Sequence, residues 1–416
     1  MKISNPVLAP ANDQAVYINE GSLMHLDANF DEGRLLIEDV AGASHVKWSL
    51  DGEYVAFILN GRLQIVTVST KQLVEVPLQN VSQFEWGAET VLYVTAEAGA
   101  LYKWSFGGDP KLLLEEAIIE AYCIATARVI VKREQQLFVV YFSGDDVLEL
   151  QEITLQSGQY GHVTFSFSGQ YVAYIGETKT ERHVYVYHFD LGLTQNLTEM
   201  LDVYAGDAMN PHLSSAHGVK EIQWTETDAL YFLLSSDGDV RLYYADVYGS
   251  LFPASPESEH INSFSVAASG NWALYIADQP FIETSLEWFD ITMGEGRTLI
   301  KQEIKVPSNV ETFYEMVDDA SGMLYIWGYV PAQAEIVNVV LSGKGRMLGN
   351  GYAPYLADQL IENKAVVYIN HPGAFGYGLS YTRKEFIEDE DKIQKLIVNW
   401  LEQKTGRIFI IDKIVK

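Results

Sequence analysis

HVKWSLDGEYVAFILNGRLQIVTVSTKQLVEV, residues 45–76, reads as four short strands joined by three turns. Asp51-Gly52 and Asn60-Gly61 suit tight hairpins, because glycine accepts the positive φ that such turns demand. Val55, Phe57 and Leu59 alternate with Ala56 and Ile58, so both faces of this strand are apolar. A sheet with two apolar faces has to be sandwiched between neighbouring sheets.

Repetition supplies those neighbours. The pattern returns at residues 162–198, HVTFSFSGQYVAYIGETKTERHVYVYHFDLGLTQNLT, where Phe165, Gly169, Val172 and Tyr174 take the places of Trp48, Gly52, Val55 and Phe57. Weaker copies begin near Phe84 and Trp86, near Tyr122, at Ile222 and at Phe264, and residues 14–40 read as a partial first copy. The period is about 40 residues, the mark of a repeat architecture. Four-stranded units bury two apolar faces by stacking radially, which predicts a β-propeller of six or seven blades over residues 1–303. Residues 199–217 lengthen one connection, and long loops are frequent binding elements.

After Pro307 the pattern changes. Apolar strands are expected at 323–330, 336–342, 365–370 and 407–412, and helices at 352–363 and 388–404. In the last helix Ile393, Leu396, Ile397, Trp400 and Leu401 line one face, and Gly406 is placed to cap it. Helices alternating with apolar strands predict a second domain, residues 304–416, built on a parallel sheet.

The chain carries 56 Asp and Glu against 28 Lys and Arg, a formal charge of −28. Such a field repels phosphate, so nucleic acid and membrane are not expected partners; it steers cationic ligands such as basic peptides. Cys123, the sole cysteine, lies in the apolar stretch AYCIATARVIV and reads as a small core hydrophobe. One cysteine allows no intrachain disulfide, the start MKISNPVLAPANDQ has no apolar signal region, and no run reaches bilayer length. The expected setting is the cytoplasm.

No cofactor or metal is expected. His212 and His217, with Asp207 nearby, fall short of the three or four converging ligands that a metal needs. Asp237-Gly238-Asp239 lacks the spaced carboxylates of a calcium loop and reads as a hairpin turn. Gly343-Lys344-Gly345 is too short for a phosphate loop.

Three segments carry a family resemblance: the blade pattern Trp/Phe-Ser-x-x-Gly-x-x-Val-Ala-Phe/Tyr, the junction FYEMVDDASGMLYIWGYVP at 313–331, and NHPGAFGYGLSY at 370–381. The chain resembles the prolyl oligopeptidase family of serine peptidases, in particular its acylaminoacyl-peptidase and dipeptidyl peptidase IV-like branches. The resemblance implies a truncated α/β-hydrolase-like domain after the propeller. It puts Ser342, Gly343, Lys344 and Gly345 in the place of the family's His-Gly-Gly-Pro oxyanion loop. His371, Gly373, Gly376, Tyr377 and Gly378 match the cleft segment N-x-R-G-S-x-G-Y-G, with Pro372 where the family has arginine.

In that family the next strand leads into G-x-S-x-G-G, the turn that presents the nucleophile, with the acid and base further on. Here RIFIID, 407–412, is followed by Lys413, Ile414, Val415 and Lys416, and no G-x-S-x-G occurs in the sequence. No catalytic residue is therefore assigned. The expectation is an inactive pseudoenzyme acting as a peptide- or protein-binding module. The alternative is the first part of a split serine peptidase whose Ser, Asp and His come from another chain; a product without function is the third reading. The strand at 407–411 is expected to have an open edge, covered by a second copy or a partner chain.

Overall fold

The computed structural model describes residues 3–415 apart from 11, 12, 28, 30, 31, 88, 89, 98, 124, 144, 145, 155–158, 179, 200, 202, 211–220, 320, 321, 387 and 388. Seven antiparallel four-stranded units follow one another along the described chain. Their innermost strands are Ile3–Leu8, Ser44–Trp48, Gln83–Trp86, Ile118–Cys123, Gln159–Phe165, Ile222–Trp224 and His260–Val266. Each packs on the next, and the first packs on the last. Leu8 N donates to Ser265 Oγ at 3.1 Å across that final junction, so the ring is closed. It is a seven-bladed β-propeller.

The Trp of the repeat explains how blades are held in series. At the end of an inner strand, Trp48 Nε1 donates to Val7 O at 3.0 Å, Trp86 Nε1 to Lys47 O at 3.2 Å, and Trp224 Nε1 to Thr164 O at 3.1 Å. Each indole thus fills the space between two blades and satisfies a carbonyl of the preceding one. The apolar faces close on each other as the alternation requires: Phe57, Val55 and Val66 of the second blade pack with Val16, Ile18 and Leu23 of the first.

Residues 14–40 belong to a complete first blade, with strands Ile3–Leu8, Ala15–Asn19, Ser22–Leu26 and Arg34–Ile37. Its inner strand escapes the repeat pattern because Asn5-Pro6 interrupts it at a bulge, where Asn5 takes φ 54°. His45 and His162 take φ 55° at the same kind of bulge in their own blades.

The second domain is a five-stranded sheet. Its elements are β1 (Val310–Asp319), β2 (Gly322–Pro331), β3 (Ile336–Leu341), α1 (Pro354–Ile361), β4 (Ala365–Asn370), α2 (Leu379–Thr382), α3 (Glu390–Thr405) and β5 (Ile410–Val415). The strand order is β1-β2-β4-β3-β5. The parallel part comprises β4, β3 and β5, and β2 and β1 extend it antiparallel. Ile393, Ile397, Trp400 and Leu401 of α3 cover one face, over Val337, Val339 and Val367. Leu356 and Leu360 of α1 cover the other, over Val366 and Tyr368. Asp389 caps α3 by accepting from Lys392 N at 3.2 Å, and Gly406, at φ 69°, ends it as expected.

The last strand starts three residues later than the sequence pattern suggests. Arg407 Nη1 donates to Pro331 O and Ala332 O, and Phe409 turns inward to the sheet core, so pairing with β3 begins only at Ile410.

Candidate binding site between propeller and sheet

Open α/β sheets bind ligands beyond the carboxyl ends of their parallel strands. Here β3, β4 and β5 end side by side, with Leu341 opposite Ile369 and Val340 opposite Val415. The loops leaving β3 and β4 are the two segments marked in the sequence, and they touch. Ser342 N donates to Ile369 O at 2.9 Å, and Gly345 N donates to Gly373 O at 2.9 Å. Gly343 and Lys344 are exposed, while Ser342 is buried with its Oγ accepting from His371 N at 3.4 Å.

His371 is buried and stacked on Phe386, ring centroids 4.2 Å apart. Its Nδ1 donates to Pro372 O at 2.8 Å. That bond, with the stack on Phe386, fixes the orientation of the ring. Tyr377 stacks on Tyr325 at 3.9 Å, and its hydroxyl accepts from Asn370 Nδ2 at 2.9 Å. Burial holds the Tyr377 hydroxyl well above its ordinary pKa. At Gly376, with φ 81°, a Cβ would lie 2.6 Å from Met347 Sδ, so the chain needs glycine there both for its backbone and for space.

The propeller docks on this edge of the sheet. Between β3 and α1, Met347 N donates to Ala208 O, Arg346 Nη2 to Met209 O, Asn350 N to Gly238 O, and Tyr352 N to Asp278 Oδ1 at 2.7 Å. Under this seam lies a buried charge network. His260 Nδ1 is 2.9 Å from Asp278 Oδ1 and its Nε2 is 3.1 Å from Asp207 Oδ2. Burial opposes a charge on the ring, but the two carboxylates outweigh it and raise His260 to about 10. Asp207 is held below its ordinary value by His260 and by the amides of Asn210, against its burial. Asp207 is thus committed to His260. His212 and His217 lie outside the described residues, and among the described residues no group of three or more His, Cys, Asp or Glu is arranged to hold a metal.

Beside the network, Arg182 is almost wholly buried, 3.1 Å from Glu221 and 3.9 Å from Glu177. Burial pushes Glu221 up to about 7 despite Arg182. A Cβ on Gly206 would fall 2.0 Å from Arg182 Nη1, so this glycine admits the guanidinium under the chain. Apart from Asp207, none of these residues stood out in the sequence. Their only sign is charge at the ends of apolar strands, as at Asp278 in WALYIADQ; register within a blade pairs His260 with Asp278 and Arg182 with Glu177, and blade stacking adds Asp207 and Glu221.

Between the fifth blade and the segment 375–382 lies a cavity of about 690 Å³. Tyr160, Tyr174, Tyr185 and Tyr204 line the propeller side with Glu181 and Glu199, and Phe375 and Leu379 line the sheet side. Tyr204 stacks on Phe375 at 4.5 Å across the junction, and Arg383 Nη2 reaches Glu181 Oε1 at 3.0 Å. Of the expected site residues, Gly376 and Gly378 line this cavity; Ser342, Gly343, Lys344, Gly345, His371, Gly373 and Tyr377 do not.

No protein-family model matches the chain. A Bacillus subtilis protein described as an uncharacterized peptidase, YuxL, is 26% identical over 213 residues, 47% of this chain and 32% of that protein. The match thus spans about a third of the relative's length. Among solved structures, the Pyrococcus horikoshii acylaminoacyl peptidase superposes with TM-score 0.72 at 16% identity, covering 97% of this chain and 71% of that one. A Mycobacterium tuberculosis puromycin-hydrolyzing peptidase gives TM-score 0.71 at 14% identity over 91% of this chain and 67% of that one. The chain resembles the prolyl oligopeptidase family, with a propeller followed by a sheet domain as its solved neighbours have. Among the described residues no helix is long and apolar enough to cross a membrane.

Proposed function

We propose that this chain binds peptide segments in the cavity between the propeller and the α/β sheet, and that the 416 residues do not cleave them by the serine route. The cavity carries the reading: about 690 Å³, walled by tyrosines and rimmed by polar groups, it has the size and lining of a ligand site at a domain junction. The relatives' peptidase descriptions agree with a peptide as ligand. For the chemistry, acyl transfer needs a nucleophile, a base and oxyanion donors converging. Ser342 is buried with its Oγ against His371 N, and Ser380 sits on α2 without a nucleophile elbow. The setting we propose is the cytoplasm.

The purified protein should bind peptides with micromolar or weaker affinity and should not react with a fluorophosphonate serine probe. Stoichiometric labelling of one serine would sink the non-catalytic part of the reading. Labelling that appears only when a second polypeptide carrying G-x-S-x-G is added favours the other reading, a split peptidase. One observation supports that alternative: beside β5, Ile408 and Ile410 are 76% and 70% exposed, an apolar margin suited to receive further polypeptide.

A further inference from the structure

We propose that β5 pairs with β5 of a second copy of this chain, antiparallel about a two-fold axis at Asp412 and Lys413, so that two sheet domains join into one continuous sheet. The proposal is independent of the peptide-binding reading.

β5 pairs with β3 on one side, and among the described residues no strand pairs with its other side. Its run is Ile410-Ile411-Asp412-Lys413-Ile414-Val415: apolar, apolar, acid, base, apolar, apolar. Read backwards, the same order returns with acid and base exchanged. Laid antiparallel on its own copy, the strand therefore sets apolar residues opposite apolar ones and Asp412 opposite Lys413.

A regular strand could not use this pattern. Residues opposite each other in an antiparallel pair point to one face, and unbroken alternation would send Ile410 and Val415 to different faces. β5 is not regular. Ile336 opposes Ile410 and Val337 opposes Ile411, but Asn338 opposes Lys413, so the pairing skips Asp412 and the phase shifts by one residue. Ile410, Lys413 and Val415 then share the α1 face. There Asn338 Nδ2 donates to Gln359 of α1, and Lys413 Nζ lies 5.1 Å from the centre of the Tyr355 ring. Ile411 and Ile414 share the other face and pack with the core under α3. With the shift, Ile410 and Val415 of the second copy meet on one face, and Ile411 and Ile414 meet on the other.

The main chain agrees. Ile410 N donates to Glu335 O at 2.9 Å, which turns the peptide groups of Ile410 towards β3. Successive residues turn theirs to opposite edges, so Ile411 presents N–H and C=O to the open edge, and the shift gives Ile414 the same direction. Ile411 and Ile414 of the second copy thus form the hydrogen-bonded pair, and Ile410 and Val415 the non-hydrogen-bonded one.

Side chains on this margin gain by it. Ile410 is 70% exposed, and Ile336 beside it on β3 is also exposed. The contact of Asp412 within the chain is to Lys364 at 3.7 Å, a long and solvated pair that leaves its carboxylate able to turn to Lys413 of the second copy. The propeller docks at the carboxyl ends of the parallel strands. Antiparallel pairing places the second propeller at the opposite end of the joined sheet, away from the first.

The test uses the 416-residue protein at about 0.15 M salt, where repulsion between two copies of charge −28 is screened beyond about 8 Å. Sedimentation equilibrium should show a dimer forming between about 1 and 100 μM, as suits a small interface. Thiol cross-linking with diamide reads the register. A mixture of Ile410→Cys and Val415→Cys proteins should give a covalent dimer and neither protein alone should, because a non-hydrogen-bonded pair brings the two Cβ atoms within disulfide reach. Cys123 is buried and stays out of the reaction. Asp412→Lys should weaken the dimer about ten-fold by setting like charges opposite each other twice. Adding Lys413→Asp should restore it to within about three-fold, a recovery that damage to the fold would not give. Circular dichroism checks each variant. A wild-type monomer up to 100 μM overturns the proposal. So does a dimer that ignores the charge exchange and gives no cross-link in the mixture. Protection of 410–415 from hydrogen exchange only on adding a polypeptide that carries G-x-S-x-G overturns it as well, and gives the edge to that chain.

Discussion

His260 is the residue on which the junction between propeller and sheet depends most directly. Its ring bridges Asp207 and Asp278, and Asp278 in turn holds Tyr352 N. Because its folded pKa of about 10 lies above the ordinary 6.5, its stabilising contribution is complete below 6.5 and is lost as pH rises through about 10. Glu221 works in the same direction lower down. Its carboxyl, raised from 4.5 to about 7, must ionise while buried as pH climbs through that range, which costs stability. Stability measured by urea unfolding should therefore decline in two steps between about pH 5 and pH 10. His260→Gln should remove the upper step and cost roughly 3–5 kcal/mol at neutral pH, since it strands two buried carboxylates. A flat profile in the wild type would contradict this account. The sequence marked His371 instead, through its resemblance, and the structure gives that residue a packing role against Phe386.

At the scale of elements, the indoles of Trp48, Trp86 and Trp224 tie three inner strands to the ones before them. Trp48→Phe keeps most of the apolar volume but leaves Val7 O without its donor. The expected loss is about 1–3 kcal/mol, read from thermal unfolding, with the first blade becoming the fastest to exchange its amide hydrogens. Strand β5 makes a second case. Phe409 is only 3% exposed and packs with α3 and the sheet, whereas Ile408 and Ile410 point outward. Phe409→Lys should unfold the sheet domain, at a cost of about 3–5 kcal/mol. The double substitution of Ile408 and Ile410 by Lys should leave the melting temperature within a few degrees and abolish any self-association or partner binding along this margin, as followed by light scattering. Association that survives the double substitution would place the interface elsewhere. Which side chains of 407–412 face outward could not be read from the sequence, since strand alternation in a six-residue run has no fixed phase until the register with β3 is known.

For the molecule as a whole, the two domains are joined asymmetrically. On one side the 346–352 seam is backbone-bonded over a buried charge network; on the other an exposed ion pair and one aromatic stack close the cavity. Hydrogen exchange should be slow along 346–352 and faster along 375–383, and high salt should widen that difference by weakening Glu181–Arg383. Equal protection on both sides would remove the basis for entry by the ion-pair side.

The sequence by itself determined the repeat, the radial stacking of blades and the alternation of helices and strands after Pro307. These follow from local periodicity, from Gly-containing turns and from the need to bury two-faced sheets, all of which are written in neighbouring residues. It also located the helix cap at Gly406. It did not reveal the first blade's opening strand, because Asn5-Pro6 breaks the pattern there. Nor did it reveal Arg182, Glu221, His260 and Asp278 as one network, or the tyrosine-walled cavity. His260 and Asp278 face each other on adjacent strands of the last blade, Arg182 belongs to the fifth and Glu221 precedes the sixth, and strand periodicity records only what is buried and not beside whom. Strand register and the stacking of blades set their neighbours, and docking of the sheet on the ring covers Asp278 with Tyr352 N.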